Sequence, residues 1–385
     1  MQLSLDFQYF ILFSVILLFP KLLLRFRIPT ALTALALGFV TALTLGWFKE
    51  DQLLLMLSRL GITSLFLFAG MEVDIDELKK DANVLVKNLL KSIALIVIIA
   101  ILIRYIFDTG FRVALVLALG LMTPSTGFIL NSLRGYELSP NQEKWVQSKA
   151  IAKELVAIFL LFFILQTESM EEFLISTGTL IGMVLILPVL FKFFLVKIAP
   201  FAPDSEVTFL ILIALLCGVI TKQLGTYYLV GAFIVGMTAG RFRHFIEHEK
   251  SQKVLYSVSF FFSFFVPFYF YRAGLTFPTE ILSWEGFGVG IAFLMIFLPI
   301  RMLEVMSSIW LFLRGTLDDS LKISIPLLPT LIFGLVIATV LREQFNASGY
   351  LVSGLIVYTI GSSIIPWFFL KKVSPEPYDS SMINR

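Results

Sequence analysis

Two apolar stretches of the chain carry four charged residues between them. Lys153 and Glu154 lie in the run Ser148-Lys149-Ala150-Ile151-Ala152-Lys153-Glu154-Leu155-Val156-Ala157, and Arg301 and Glu304 lie in a second run. A charge at the centre of a membrane helix costs at least about 2.5–3.5 kcal/mol on insertion scales, so each should have a partner or a task. Neighbours on a helix point about 100° apart, so Lys153 and Glu154 do not pair face to face. Arg301 and Glu304, three residues apart, share a face. The four charges sum to zero. The expected arrangement pairs Lys153 with Glu304 and leaves Glu154 near the helix breaks described next. Arg301 then balances the broken helix ends or Glu154 itself. Lys153 can alternatively snorkel to the surface, since Lys149 lies one turn away. Glu154 has no such escape. A carboxylate in that position can hold either a proton or a cation, and competition of two cations for one carboxylate is the chemistry of exchange.

Two helices are interrupted. Leu121-Met122-Thr123-Pro124-Ser125-Thr126-Gly127 places a proline, which lacks an N–H and clashes with the preceding turn, among small hydroxylated residues. The oxygens of Thr123, Ser125 and Thr126 can partner freed backbone groups or a cation. A second interruption contains Pro326-Leu327-Leu328-Pro329-Thr330 and then Gly334. One break alone reads as a proline kink. A pair at corresponding positions of two halves is the best sequence pointer to a transporter's binding site.

These residues need a membrane frame, and composition supplies it. Of 385 residues 58% are hydrophobic and 15% charged, with a mean hydropathy of +0.91. A soluble domain carries about 25% charged residues. Thirteen candidate spans run at about 7–25, 28–47, 52–72, 85–106, 112–132, 146–166, 171–197, 206–223, 225–240, 255–275, 285–312, 322–341 and 347–370. Most reach the roughly 20 residues that cross the hydrocarbon. With the N-terminus outside, twenty-one of the 30 Lys and Arg residues fall on the cytoplasmic side and six (Lys49, Arg104, Arg112, Lys222, Arg272, Arg342) on the other. Arg59, Lys153 and Arg301 lie within spans. That bias predicts an N-outside, C-inside topology with an odd number of spans. Thirteen divides into a first repeat at about 7–166, a linker helix at about 171–197, and a second repeat at about 206–370 of opposite orientation. Residues 1–372 thus form one transmembrane unit. Residues 373–385 form a short cytoplasmic tail.

Other chemistries find little support. The single cysteine, Cys217, permits neither a disulfide framework nor a cysteine metal cluster. His244 and His248 lie in a basic polar stretch and read as a solvated loop rather than a metal site. Glu72, Asp74, Asp76 and Glu77 read as a solvated helix end. The phenylalanines between 260 and 270 read as packing and lipid-facing surface, not a cofactor box. No nucleophile has an evident base, no nucleic-acid signature is present, and neither an enzyme nor a cofactor is expected.

Several segments together resemble the cation:proton antiporter superfamily, most closely the bacterial sodium/proton antiporters and the membrane domain of the Kef-type proteins. They are Ile28-Pro29-Thr30 with Ala36-Leu37-Gly38, Leu65 to Asp74, the Thr123-Pro124-Ser125-Thr126 break, and Phe265 to Phe270 with Gly274. The likeness covers nearly the whole chain. It implies an all-α fold of thirteen transmembrane helices with an inverted-topology repeat and two crossing broken helices. It further implies a dimerisation domain and a mobile core, elevator-like alternating access, a homodimer and a bacterial inner membrane. The family usually places Asp-Asp or Asn-Asp where Lys153 and Glu154 stand, and a Lys or Arg where Arg301 stands. One carboxylate argues for electroneutral one-for-one exchange, and Lys153 is a departure from the pattern. No nucleotide-sensing domain is expected after the last helix.

The expectation is therefore a monovalent cation/proton antiporter, with Glu154 as the shared site, Na+ or K+ and H+ as substrates, and membrane lipid around it. An uncoupled cation channel on the same scaffold and a transport-inactive sensor module are the alternatives.

Overall fold

The computed structural model describes residues 4–23, 26, 28–73, 82–133, 136, 138–166, 170–202, 205–224, 229–242, 248–278, 280, 283–313 and 317–369. Asp74, Asp76, Glu77, Arg134, His244 and the tail 373–385 lie outside them, as does the side chain of His248. Glu72 is exposed at its helix end.

Every regular element among the described residues is helical, as apolar runs in lipid require, since a helix satisfies its own backbone. The α-helices are α1 (Leu5–Leu23), α2 (Thr30–Thr44), α3 (Gln52–Met71), α4 (Ala82–Phe107), α5 (Phe111–Met122), α6 (Thr126–Leu133), α7 (Pro140–Gln166), α8 (Met170–Phe193), α9 (Ser205–Gln223), α10 (Leu229–Phe242), α11 (His248–Leu275), α12 (Trp284–Ser308), α13 (Leu317–Ser324), α14 (Leu331–Glu343) and α15 (Gly349–Ile364). Polar residues set several of the starts. Asp51 accepts a hydrogen bond from the Leu54 N–H at 2.7 Å to cap α3, and Ser283 accepts one from Gly286 at 3.0 Å to cap α12. Two expected spans are each split: the fifth into α5 and α6, the twelfth into α13 with a following 3₁₀ turn and α14. Helix α7 begins at Pro140 rather than 146, and α11 at His248 rather than 255. In both cases polar turns precede the apolar run, and hydropathy alone does not register them.

By length and composition, eight helical segments among the described residues can cross a bilayer. The number is nine if Asp319–Leu327 and Leu331–Glu343, bent by 44°, count as one span. Thr30–Thr44 and Val230–Arg241 are apolar but shorter.

The principal helix pairings fall into two groups. Helices α1, α2, α3, α8, α9, α10 and α11 pack among themselves, as do α4 to α7 with α12 to α15. The groups meet mainly where α3 touches α6 and where α7 runs into α8. Inside the first group, small residues bring backbones together, as is common where lipid removes the hydrophobic drive for helix association. A Cβ on Gly38 of α2 would sit 1.9 Å from the Tyr271 carbonyl oxygen of α11, and one on Gly274 would sit 2.1 Å from the Leu35 oxygen. The contact is reciprocal, and neither backbone can retreat without moving a whole helix. Gly38→Ala is therefore expected to lower the detergent-solubilised protein's stability by about 1–3 kcal/mol, the range for overpacking a core. Gly178→Ala on α8, where an added Cβ meets nothing within 4 Å, serves as the control. Equal melting temperatures for the two variants would refute this reading of the α2–α11 seam.

The second group holds the four charges. Ile129 and Leu133 of α6, Val146 and Ala150 of α7, Val305 of α12 and Ile323 of α13 form one apolar cluster. It lies beside the place where Lys153 of α7 and Glu304 of α12 meet.

Candidate cation site at the helix crossing

The two interruptions touch. After α5 ends at Met122 the chain leaves the helical conformation until Thr126, and after the 3₁₀ turn Ile325–Leu327 it does so until Leu331. The Ser125 N–H donates to the Pro329 carbonyl at 2.8 Å, and the Ile332 N–H donates to Ser125 Oγ at 3.2 Å. Thr330 Oγ1 lies 3.0 Å from Ser362 Oγ. Backbone groups orphaned by each break thus find partners on the other break or on α15, which is what permits irregular backbone at this depth. Each break also leaves a positive helix start and a negative helix end in the interior.

Glu154, 3% exposed, sits at one of those starts. Its Oε2 accepts the Thr126 N–H at 2.8 Å, the first amide of α6. Backbone donor and helix dipole both favour an anion there. Thr126 Oγ1 is buried and has no hydrogen-bond partner, so an unused oxygen lies on the residue that holds the carboxylate. Thr123 is buried as well, on the wall of a small cavity shared with Ser92, Met122, Lys153 and Glu304. Ser125 holds the crossing with both its hydroxyl and its amide. Pro124 lines a second cavity with Lys153, Arg301, Glu304, Leu327 and Leu328. Pro326 lies within the 3₁₀ turn, and Pro329 supplies the carbonyl that Ser125 reaches.

Arg301, also 3% exposed, serves the opposite pole. Its Nη2 donates to the Leu327 carbonyl and its Nη1 to the Leu328 carbonyl, both at 2.6 Å, and Nη1 also donates to Tyr358 Oη at 3.2 Å. Of the two roles open to it from sequence, the structure shows it on the broken helix end. The planar fork suits two adjacent carbonyls. Tyr358 in turn donates to Leu121 O, near the end of α5, at 2.8 Å, so one tyrosine ties both helix ends to the same guanidinium. Tyr358→Phe is expected to cost about 1–3 kcal/mol, because it strands the buried Leu121 carbonyl. Thermal unfolding of the purified variant measures this, and an unchanged melting curve would show the bridge to be idle.

Lys153 is hydrogen-bonded and ion-paired to Glu304 Oε2. The other oxygen, Oε1, accepts from Ser92 Oγ at 2.9 Å and lies 3.8 Å from Lys149 Nζ. Lys91 reaches the same turn of α12, donating to Ser307 Oγ at 2.5 Å and to the Glu304 carbonyl at 3.2 Å. Lys149, counted from sequence among charges at the cytoplasmic ends, is only 2% exposed, and it stacks over the Trp145 ring at 4.8 Å. A usable signal was present. Trp145, Lys149 and Lys153 recur every fourth residue and so share one face of α7. Ser92 and Tyr358 carried no such signal, since they arrive from helices remote in sequence. Among the described residues no group of three or more His, Cys, Asp or Glu side chains can hold a resident metal ion.

A helical membrane bundle with two interrupted helices crossing beside a buried carboxylate has the architecture of a secondary transporter. The chain belongs to the sodium/hydrogen exchanger family: the family model described as "Sodium/hydrogen exchanger, transmembrane" matches residues 10–371. It is 26% identical over 280 residues to the probable Na(+)/H(+) antiporter 3 of Methanocaldococcus jannaschii, covering 70% of this chain and 71% of that one. It is 24% identical over 311 residues to the Na(+)/H(+)-K(+) antiporter GerN of Bacillus cereus, covering 75% and 76%. The sodium proton antiporter MjNhaP1 from Methanocaldococcus jannaschii, in its structure at pH 8, has the same fold. The TM-score is 0.67 with 14% identity, over 93% of this chain and 94% of that one.

Proposed function

We propose that this protein exchanges a monovalent cation, Na+ or K+, for a proton, with Glu154 as the site the two share. The observation that carries the proposal is the placing of Glu154. Its carboxylate is buried at the first amide of α6, next to the unpartnered Thr126 hydroxyl, where two helices break and cross. Occupants of such a site alternate: a proton neutralises the carboxylate, or a dehydrated cation does so with oxygens from the breaks. Thr126 and Thr123 are the nearest candidates for those oxygens. With a single carboxylate at the crossing, one cation replaces one proton and the cycle moves no net charge. Access alternates as the group of α4 to α7 and α12 to α15 slides against the other group in an elevator motion. The working unit is a homodimer in the bacterial inner membrane, N-terminus outside and C-terminus cytoplasmic, and the halves 7–166 and 206–370 form an inverted repeat about the linker helix.

The transport-inactive alternative needs an ammonium in place of the cation. Lys153 is the residue able to provide it, and it is bonded to Glu304 instead.

The test is proton flux in proteoliposomes driven by dilution of Na+ or of K+; the name of the Bacillus cereus relative brings K+ into the test. Flux that persists unchanged with the membrane potential clamped establishes electroneutral exchange. Cation flux that ignores the pH gradient would replace the proposal with an uncoupled channel, and silence with both ions across pH 6 to 9 would replace it with an inactive relative.

A further inference from the structure

The residue next to the site carboxylate is a base, and a base there is a built-in competitor. A lysine ammonium is a monovalent cation on a four-carbon tether. Lys153 lines both small cavities that flank the first helix break, one bounded by Met122 and Thr123, the other by Pro124. Both cavities therefore lie along the same break as Thr126, whose amide holds Glu154. Free to move, it would reach Glu154 and occupy it.

What keeps it elsewhere is Glu304, and the structure has invested heavily in Glu304. Lys153 takes Oε2, Ser92 Oγ bonds Oε1, and Lys149 adds a second ammonium 3.8 Å from Oε1. Lys91, Ser307 and Ser308 hold the backbone carbonyl of the same residue at 3.2, 3.0 and 2.8 Å. A lone ion pair would need none of this. The arrangement fixes a carboxylate, 3% exposed, in one place, where it can retain a partner.

We infer that Glu304 is a positioning residue that sequesters the Lys153 ammonium from Glu154 and thereby keeps the exchange site open to the transported cation. Glu304 acts through Lys153 and does not touch the cation. The inference rests on Glu154 being the exchange site.

The test reads KM against maximal rate for Na+ and K+ in proteoliposomes. Glu304→Gln releases Lys153. If the ammonium then occupies Glu154 nine-tenths of the time, the apparent cation KM rises about tenfold while the maximal rate at saturating cation is retained. Adding Lys153→Gln to Glu304→Gln removes the competitor and is expected to return KM to the native value. The double variant also removes a stranded buried charge, so the readout separates the roles: a merely structural Glu304 lowers the maximal rate and the melting temperature in Glu304→Gln and does not raise KM alone. Glu304→Asp keeps the charge but withdraws it by one methylene, and it is expected to give an intermediate KM; it also serves if Glu304→Gln does not fold. An unchanged KM in both single variants, or a double variant as impaired as Glu304→Gln, would overturn the inference. Failure of the underlying site assignment looks different: Glu154→Gln would then still exchange cations for protons.

Discussion

Glu154→Gln is expected to reduce cation-driven proton flux to the level of protein-free liposomes. The amide is nearly the same size as the carboxylate, and its oxygen can still accept the Thr126 N–H, so the local fold has no reason to change. What it loses is the charge that a dehydrated cation needs and the ability to carry a proton. Two further results separate loss of charge from loss of structure. Saturating Na+ or K+ should raise the melting temperature of the native protein, since a ligand bound only by the folded state stabilises it by about 2.7 kcal/mol at a hundred times its dissociation constant. The variant should melt at the same temperature with and without cation. In the native protein, proton and cation compete for one carboxylate, so the apparent cation KM should rise as pH falls while the maximal rate at saturating cation holds. Retained exchange in Glu154→Gln, or a KM indifferent to pH, would move the shared site away from the crossing.

Arg301→Ala should be the most destabilising single change in the second helix group, and it should also abolish transport. The guanidinium donates to the Leu327 and Leu328 carbonyls and to Tyr358, and all three bonds are buried. A hydrogen bond to a charged group is worth about 1.5–3 kcal/mol, and the truncation leaves two buried carbonyls at a broken helix end without their donor. The negative end of α13 is also left unbalanced. Arg301→Lys restores the charge but not the fork, and a point charge on a flexible stem serves two adjacent carbonyls poorly. The lysine variant should therefore fold better than the alanine variant while remaining impaired in transport. Thermal unfolding in detergent gives the stability order and proteoliposome flux the activity. If the alanine variant were as stable as the native protein, the two carbonyls would have found other donors, and the role given to Arg301 would fall.

These expectations concern residues legible from sequence to different degrees. Glu154, Lys153, Arg301 and Glu304 announced themselves because an ionisable group in an apolar run is costly, and that cost is visible one residue at a time. The breaks were legible for a similar reason: proline cannot continue a helix wherever it lies. Lys149 was visible but misread. Its place near the end of a span suggested a surface charge, and only the packing of α7 against α12 shows it turned inward onto Glu304. Ser125 was legible as an oxygen at a break, yet whether that oxygen serves an ion or the opposite backbone depends on a strand of chain two hundred residues away. The Lys153–Glu304 pair was expected from sequence, but the further support that Ser92 and Lys91 of α4 give Glu304 was beyond reach.

By itself, then, the sequence determined what each segment must be. Long apolar runs in lipid have to be helices, because the backbone has no other partner there. Prolines have to interrupt them, and a buried carboxylate has to hold a proton, a cation or a fixed base. The tertiary structure decided which of these partners meets which. The crossing of the two breaks, the choice of the broken helix end rather than Glu154 for Arg301, and the bridge that Tyr358 makes between Arg301 and the end of α5 all depend on distances between segments remote along the chain. Hydropathy and local geometry carry no information about such distances; helix packing sets them.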